Sequence, residues 1–293
     1  MSGPQQRVLM LQILIYGAVS SAIYAMLAVG FTLIFGVARI LNLAHGSFYA
    51  LGAYAAYVLT SLLGVPLFIA APLAVLIVAG FGVVMERFLV RPLRSSQLAV
   101  LMITLAVSLA VEQALFITFG SEYRNVPSFV ADKLSIGGVD ISGQRLLALV
   151  AGVLVLLGLW LFIQRTRLGA AILAVSQDPE AAQYMGIPTN RIFSIVMAIS
   201  AGTAALAGVL VSPFLTVQPT MGLLPMVKAF AIVIVGGLGS IPGSIIASLI
   251  LGYSETIVAY LISTSWTELV SLVAVVVTLM IRPSGLLGRR AAF

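Results

Sequence analysis

The chain has 293 residues, of which 61% are hydrophobic and 8% are charged, and its formal net charge is +6 at pH 7. Ordinary soluble domains carry roughly 25% charged residues. This composition therefore excludes an ordinary soluble domain and predicts an integral membrane protein. The chain has no cysteine and one histidine, which excludes disulfides, zinc sites and cysteine nucleophiles and leaves only His45 for a histidine-based triad.

Long apolar stretches recur along the whole chain. A helix needs about 20 apolar residues to cross a hydrocarbon core roughly 30 Å thick. In chain order the predicted spans are 9–36, 42–63, 66–86, 98–120, 145–164, 190–217, 224–240, 242–262 and 267–281. The sequence therefore predicts an all-α, polytopic transmembrane bundle of about eight or nine spans packed through small residues. We expect residues 1–293 to form one membrane domain with no soluble domain.

Basic residues concentrate in three regions at span ends, 87–94, 165–191 and 282–290. They form no continuous basic stripe, so nucleic acid is not an expected partner. The positive-inside rule places these three regions in the cytoplasm. The segment 121–144 has more acidic than basic residues and is predicted to be an extracytoplasmic loop.

The position of the N-terminus depends on the number of crossings. If all nine candidates cross, a cytoplasmic C-terminus leaves the N-terminus outside. If either 224–240 or 242–262 is re-entrant, the count falls to eight and the N-terminus lies inside, which Arg7 favours.

The polar stretch 165–191 is predicted to contain a short, capped helix from Pro179 to Met185. Asp178 is a favourable N-cap, and Pro179 suits the first helical position. Glu180 places a negative charge near the positive end of the helix dipole, and Gly186 is a typical stop.

This helix is far shorter than the roughly 12–15 residues that an isolated helix needs in water, so other contacts must hold it. We infer that a membrane protein presents it to a groove on a soluble partner, with a small, mildly apolar exposed face of Ala181, Ala182 and Met185. The alternative is a simple capped turn between two spans.

Polar residues cluster between Phe35 and Tyr54. Arg39, Asn42 and His45 lie at spacings of three, which would place them on one face of a helix. Polar groups at membrane depth are costly unless they face a cavity or a partner. We expect a broken or tightly packed helix along a translocation path, with Asn42, His45, Ser47 and Tyr54 as path residues. The alternative for His45 is a hydrogen-bonded histidine between helices at the cytoplasmic margin of the membrane.

Three further ionisable residues lie inside or beside predicted spans, and they are Glu112, Lys228 and Glu255. Intramembrane charges are functional candidates, so we include all three in the candidate path. The sequence GGLGSIPG at 236–243 resembles a phosphate loop only superficially, because no Lys-Ser or Lys-Thr follows it. It predicts a tight turn between helices or an unwound segment.

Four stretches carry a family resemblance: NLAHGSFYALGAY at 42–54, AVSQDPEAAQYMGI at 174–187, GGLGSIPGSIIASLILG at 236–252 and RPSGLLG at 282–288. In this order they resemble the LivH-type permease subunits of ABC importers for branched-chain amino acids. The resemblance implies that 174–187 is a cytoplasmic coupling loop that docks on an ATPase subunit. Many relatives have arginines around positions 170 and 173, where this chain has Ala170 and Leu173.

The resemblance also implies partners and a location. The partners would be a LivM-type second permease, two ATPase subunits of the LivG and LivF type, and an extracytoplasmic amino-acid-binding protein. The location would be the cytoplasmic membrane of a bacterium. This chain itself would bind no cofactor or metal and catalyse no reaction, because ATP and Mg would be used by the ATPase subunits.

Three alternatives remain open. The same architecture could import urea, short amides or another small solute. An ion-coupled secondary carrier could use Glu112 or Glu255 as its ion site. An intramembrane protease is a more distant alternative, because Ser47 and His45 are two positions apart and would lie on different faces of a helix.

Overall fold

The computed structural model describes residues 3–130, 132–136, 139–282 and 284–288. Pro283 and the predicted cytoplasmic arginines at 289 and 290 lie outside these ranges. The described helices are α1 (Gly3–Ala38), α2 (His45–Tyr57), α3 (Leu67–Met85), α4 (Gln97–Phe119), α5 (Gly143–Arg165), α6 (Arg167–Gln177), α7 (Pro179–Tyr184), α8 (Thr189–Val211), α9 (Leu223–Gly236), α10 (Ile241–Leu261) and α11 (Thr267–Ile281).

Seven helical segments are long and apolar enough to cross a membrane. They are formed by α1, α3 with its continuation to Leu93, α4, α5, α8, α10, and α11 with the 3-10 turn that precedes it from Thr264. The helix α9 is a shorter apolar helix of 14 residues. The helix α2 continues through one π-helical stretch, Val58–Leu62, which extends it towards α3. The predicted all-α polytopic bundle is confirmed, and the number of spans is roughly the number expected.

Short polar side chains set where several helices begin. The hydroxyl of Ser96 accepts a hydrogen bond from the Ala99 amide at the start of α4, and Thr166 does the same for Gly169 in α6. Ser240 caps α10 in the same way. Each cap satisfies an amide that would otherwise lack a partner in the first helical turn, so local sequence chemistry fixes these starts.

The helices α1 and α8 are the most buried of the long helices and form the centre of the bundle. The helix α1 packs mainly against α10, whereas α8 packs against α2 and α3. Glycines allow the closest approach: a Cβ atom at Gly52 would collide with the Ala205 backbone, and one at Gly208 would collide with the Tyr49 carbonyl. Small residues at such crossings are a main source of helix association in membranes.

We expect Gly208→Leu to destabilise the protein by roughly 1–3 kcal/mol or more, because the added side chain forces α8 away from α2. Thermal unfolding of the detergent-purified protein measures the effect. Gly80→Leu is the matched control, since a Cβ atom at Gly80 meets only open space. Equal melting temperatures for the two variants would show that the α2–α8 contact is not tight.

The segment 121–144 contains a small antiparallel hairpin that the sequence does not predict. Its strands are β1 (Lys133–Ile136) and β2 (Val139–Ser142), and α5 begins directly afterwards at Gly143. The buried Gln144 side chain accepts a hydrogen bond from the Phe129 amide and donates one to the Leu210 carbonyl. One amide side chain therefore holds this loop against the end of α8.

The expected common helical face of Arg39, Asn42 and His45 is wrong. The helix α1 ends at Ala38, Arg39 has a φ of 52°, and residues 39–44 are not helical. The Asn42 side-chain oxygen accepts a hydrogen bond from the Ala44 amide at 3.1 Å. Such local side-chain bonds compete with helix formation, which explains why α2 begins only at His45.

Candidate functional site

Two helices begin inside the bundle, and their beginnings meet. The helix α2 follows the non-helical residues 39–44, and α9 follows the non-helical residues 212–222. At the meeting point Gly46 and Gly222 lie so close that a Cβ atom on either would collide with the carbonyl group of the other. Non-helical backbone at membrane depth is tolerated where protein buries it or where it lines a cavity.

His45 places this meeting point near the middle of the bundle. Its imidazole is fully buried, with Nε2 3.0 Å from the Leu27 carbonyl oxygen and Nδ1 3.3 Å from the hydroxyl of Ser200, the central residue of α8. Phe31 and Phe48 pack edge-on against the ring. This is the geometry of a hydrogen-bonded histidine between helices, as in the alternative considered from the sequence, but the ring lies beside the centre of α8 and not at its margin. The assignment of His45 to the path stays a prediction.

A cavity of about 180 Å³ lies beside the meeting point, between α2, α4 and the start of α9. Clefts for drug-sized ligands measure roughly 300–1,000 Å³, so this cavity suits a much smaller solute. Its polar lining includes Ser47, Ser108 and Glu112, and the Ser47 hydroxyl donates a hydrogen bond to the Ser108 oxygen at 3.0 Å. Of the predicted path residues, Ser47 and Glu112 therefore share one cavity.

Asn42 and Tyr54 are buried away from the lining of this cavity. The Asn42 side-chain nitrogen lies 3.7 Å from the sulfur of Met197. The Tyr54 ring packs against Phe119 with a centroid separation of 4.8 Å. Both side chains connect helices of the bundle, and their assignment to the path stays a prediction.

Lys228 and Glu255 form an intramembrane ion pair. The Lys228 Nζ atom lies 2.6 Å from Glu255 Oε2 and also donates to the Tyr24 hydroxyl at 2.8 Å. Tyr24 donates to the same Oε2 atom, and Ser271 donates to Oε1, each at 2.6 Å. The pair thus joins α1, α9, α10 and α11, and the charge of Glu255 is already balanced.

The short helix in the segment 165–191 forms as predicted, from Pro179 to Tyr184 instead of to Met185. Asp178 Oδ1 accepts hydrogen bonds from the amides of Glu180 and Ala181, both at 2.9 Å. Gly186 has a φ of 82°, the left-handed conformation typical of a residue that follows a helix. The predicted N-cap and stop residue are therefore confirmed as structural features.

The exposed face of α7 differs from the prediction at one residue. Ala182 is only 5% exposed, because it points towards the bundle, so its predicted exposure is wrong. Tyr184 is 89% exposed and Met185 is 83% exposed. Tyr184 was not among the residues predicted to be exposed, although its place one turn after Glu180 and Ala181 in a short helix could have indicated exposure.

A second helix, α6, precedes α7 and was not predicted. It is amphipathic, with Ile172 and Val175 buried and Ala170 and Leu173 exposed. It packs against α1, α5 and α8, while α7 packs against α6 and α8. The two short helices together form an exposed ledge with apolar side chains. We call α6 and α7 the cytoplasmic ledge, after the side of the membrane on which the sequence predicts them to lie.

A charged cluster next to α8 was also missed. Glu86 is only 1% exposed and forms ion pairs with Arg91, at 3.0 Å, and with Arg94. The Ser194 hydroxyl donates to Glu86 at 2.5 Å, and the Arg94 guanidinium lies 3.8 Å from the centre of the Phe193 ring. These contacts fasten the end of α3 to the first turns of α8, directly after the cytoplasmic ledge.

The glycine-rich sequence at 236–243 forms the turn between α9 and α10, one of its two expected conformations. Gly237 and Gly239 have φ values of 101° and 82°, which glycine adopts without strain. Among the described residues, no three histidine, aspartate or glutamate side chains are grouped closely enough to hold a metal ion.

Comparison with known proteins gives a consistent result. A family profile described as the branched-chain amino acid transport system permease component matches residues 13–280. The high-affinity branched-chain amino acid transport system permease protein BraD of Pseudomonas aeruginosa is 34% identical over 95% of this chain and 96% of its own length. The LivH permease protein of Escherichia coli K12 is 30% identical over 97% of each chain.

A solved structure has a similar fold. A chain of PsaBC from Streptococcus pneumoniae in complex with Fab superposes with a TM-score of 0.52 and 16% sequence identity, covering 92% of this chain and 91% of that one. The profile match and the full-length relatives agree with the four sequence stretches noted above. The chain therefore belongs to the family of permease components of branched-chain amino acid transport systems.

Proposed function

We propose that this chain is a membrane-spanning permease subunit of an ATP-driven importer of leucine, isoleucine and valine. Family membership and the names of its full-length relatives support this cargo. The structural observation that carries the proposal is α7, a capped helix of six residues whose last residue, Tyr184, and the following residue, Met185, are exposed to solvent. A helix this short gains little from its own hydrogen bonds, so its defined shape suits docking on a partner.

The partners in this proposal are a LivM-type permease, two LivG- and LivF-type ATPases and an extracytoplasmic amino-acid-binding protein. The complex would lie in the cytoplasmic membrane of a bacterium. This chain contributes no bond chemistry, because ATP and Mg belong to the ATPase subunits. Exposed Ala170 and Leu173 on α6 extend the apolar surface of α7 and favour docking through apolar contacts.

The mechanism that we propose is a rocking of helices driven by the ATPases. Closure of the ATPases on ATP displaces the cytoplasmic ledge, and α8 follows because it packs against α6 and α7 and only four residues separate it from the end of α7. The hydrogen bonds from the Ser194 hydroxyl to Glu86 and from the Arg94 guanidinium to the Asn190 side chain make the end of α3 move with α8. Nucleotide can shift the balance of outward-open and inward-open states only through such differential contacts.

We further propose that the chain crosses the membrane nine times with its N-terminus outside. The Leu286 amide after α11 donates to the Val235 carbonyl at the end of α9, so these two ends lie on the same side as Arg282. Gly36 near the end of α1 lies against Gly239 in the adjacent turn. With Arg282 in the cytoplasm, α1 ends inside and begins outside. Both α2 and α9 then cross together with the non-helical residues that precede them.

Gly186→Val should weaken coupling between ATP hydrolysis and transport. A β-branched side chain at a φ of 82° costs about 1–2 kcal/mol or more, so the end of α7 should distort. We expect uptake and substrate-stimulated ATP hydrolysis to fall together in reconstituted vesicles. Gly158→Val on α5 is the control, because a Cβ atom there meets open space. Normal transport and normal stimulated hydrolysis by Gly186→Val would contradict the coupling role of α7.

Competition experiments test the proposed cargo. In vesicles that contain the complete complex, unlabelled isoleucine and valine should inhibit uptake of radiolabelled leucine, whereas urea and short amides should not. Uptake of urea or an amide without uptake of leucine would support the alternative in which the same architecture carries another small solute.

A further inference from the structure

The helix α4 has two different faces along its length. Ser108, its central residue, and Glu112, one turn further on, lie four positions apart and share the face that lines the cavity beside α2. Met102, Leu109 and Phe116 recur every seven residues on another, exposed face. The apolar face suits lipid, whereas the polar face requires a different environment.

The Glu112 carboxylate has no ion-pair partner within the part of the chain that the structure describes. It is neither fully buried nor fully exposed, and it lines the cavity about one turn from the centre of α4. A charged side chain at this depth is costly in hydrocarbon, so this face of α4 must border water or protein. By contrast, the Glu255 carboxylate is already balanced by Lys228.

The lining of the cavity matches the ammonium group and the side chain of a branched-chain amino acid. An ammonium group has three N–H donors, and the Glu112 carboxylate with the hydroxyl oxygens of Ser47 and Ser108 provides acceptors on one wall. Leu105, Met226 and Val227 provide apolar surface in the same cavity. A carboxylate next to an apolar wall would stabilise the α-ammonium group of an amino acid whose branched aliphatic side chain contacts that wall.

We propose that this cavity is a transit site for the substrate, in which Glu112 is the counter-charge for the α-ammonium group and Ser47 and Ser108 accept its hydrogen bonds. The inference rests on the proposed function, because it concerns how an imported amino acid passes this chain. The break before α2 serves the site by placing Ser47 in the first turn of that helix, next to Ser108.

The first test measures leucine uptake by the complete complex and compares the wild-type chain with Glu112→Gln and Glu112→Asp. The control is Glu268→Gln, which alters an exposed carboxylate on α11. We expect Glu112→Gln to reduce uptake roughly tenfold or more, as loss of one charge-assisted hydrogen bond implies. Glu112→Asp should restore part of the uptake, and Glu268→Gln should match wild type. ATP hydrolysis stimulated by the loaded binding protein should persist in Glu112→Gln, because its ledge is intact.

The outcomes separate the two proposals. Uptake by Glu112→Gln within about twofold of an active wild-type complex overturns the ammonium assignment and leaves the importer proposal intact. Absence of leucine uptake by the wild-type complex contradicts the importer proposal, and the assignment that rests on it is overturned as well.

The second test needs no change at Glu112 and uses the absence of cysteine from this chain. Two variants in lipid vesicles, Ser108→Cys and the neighbouring Leu109→Cys, are treated with a charged, water-soluble thiol reagent. Leu109 is 58% exposed and lies on the apolar face of α4. Thiols react as thiolates, which form in water and not in hydrocarbon. We expect labelling at position 108 alone, slowed by leucine-loaded binding protein with ATP. An unreactive Ser108→Cys variant, or labelling that leucine does not slow, overturns the transit site.

Discussion

Glu255→Gln is expected to destabilise the protein by on the order of 3 kcal/mol, because it leaves the Lys228 ammonium without its counter-charge among four packed helices. The wild-type carboxylate accepts hydrogen bonds from Tyr24, Lys228 and Ser271. A neutral amide retains some of these contacts and removes the ionic one. Thermal unfolding of the detergent-purified chain should show a clear fall in melting temperature.

The double variant Lys228→Met with Glu255→Gln is the matched control for this prediction. It removes both charges, so no uncompensated charge remains in the bundle, and it should recover most of the lost stability. If the double variant is as unstable as Glu255→Gln, the loss reflects packing around Glu255 and not the unpaired lysine. A melting temperature of Glu255→Gln equal to that of wild type would contradict the role of the ion pair.

Replacing Tyr184 and Met185 together by aspartate should abolish transport. Both side chains project from the cytoplasmic ledge, so the change should leave the fold of this chain intact. Tyrosine residues at the centre of interfaces often account for about 2 kcal/mol or more of binding free energy each. Two new negative charges add desolvation costs in a docked complex. Co-purification of the ATPase subunits, followed by leucine uptake, measures the loss.

Tyr123→Asp is the control for the ledge variant, because Tyr123 is also an exposed aromatic residue but lies in the predicted extracytoplasmic loop. It should leave the ATPase subunits bound. Retention of the ATPases by the Tyr184 and Met185 double variant would mean that another surface of this chain holds them.

The sequence predicts those parts of the fold whose causes are local. The ends of α7 carry residue types that are typical of their positions: Asp178 as N-cap, Pro179 as first helical residue and Gly186 after the end. The helix can therefore be located to within one residue from the sequence. The long spans follow from apolar length alone, because hydrocarbon leaves few alternatives to a helix. The start of α2 is harder, since a single hydrogen bond from Ala44 to the Asn42 side chain competes with continued helix.

The features that the sequence does not predict depend on tertiary contacts. Lys228 and Glu255 are 27 positions apart, and only the packing of α9 on α10 brings them together. Glu86 lies next to a basic loop, yet only the fold shows that it is buried and accepts a hydrogen bond from Ser194 on α8. Ala182 and Tyr184 differ in exposure because α7 rests on α6 and α8, an arrangement that periodicity in a six-residue helix cannot specify.

The cavity illustrates the same distinction. Glu112 and Ser47 can both be selected from the sequence as polar residues within apolar spans, but their shared cavity with Ser108 is visible only once α2 and α4 are packed. The contact between Gly46 and Gly222 is equally non-local. Sequence patterns thus indicate which residues are costly in a membrane, and the fold shows which of them belong together.

The measurement that tests the central claim most directly is uptake of radiolabelled leucine into vesicles containing this chain with its partner subunits, with either intact or catalytically inactive ATPases. The account predicts uptake that requires ATP and intact ATPases and that persists when an uncoupler collapses ion gradients. Uptake that is unaffected by inactive ATPases but stops with the uncoupler would contradict it and would identify an ion-coupled carrier.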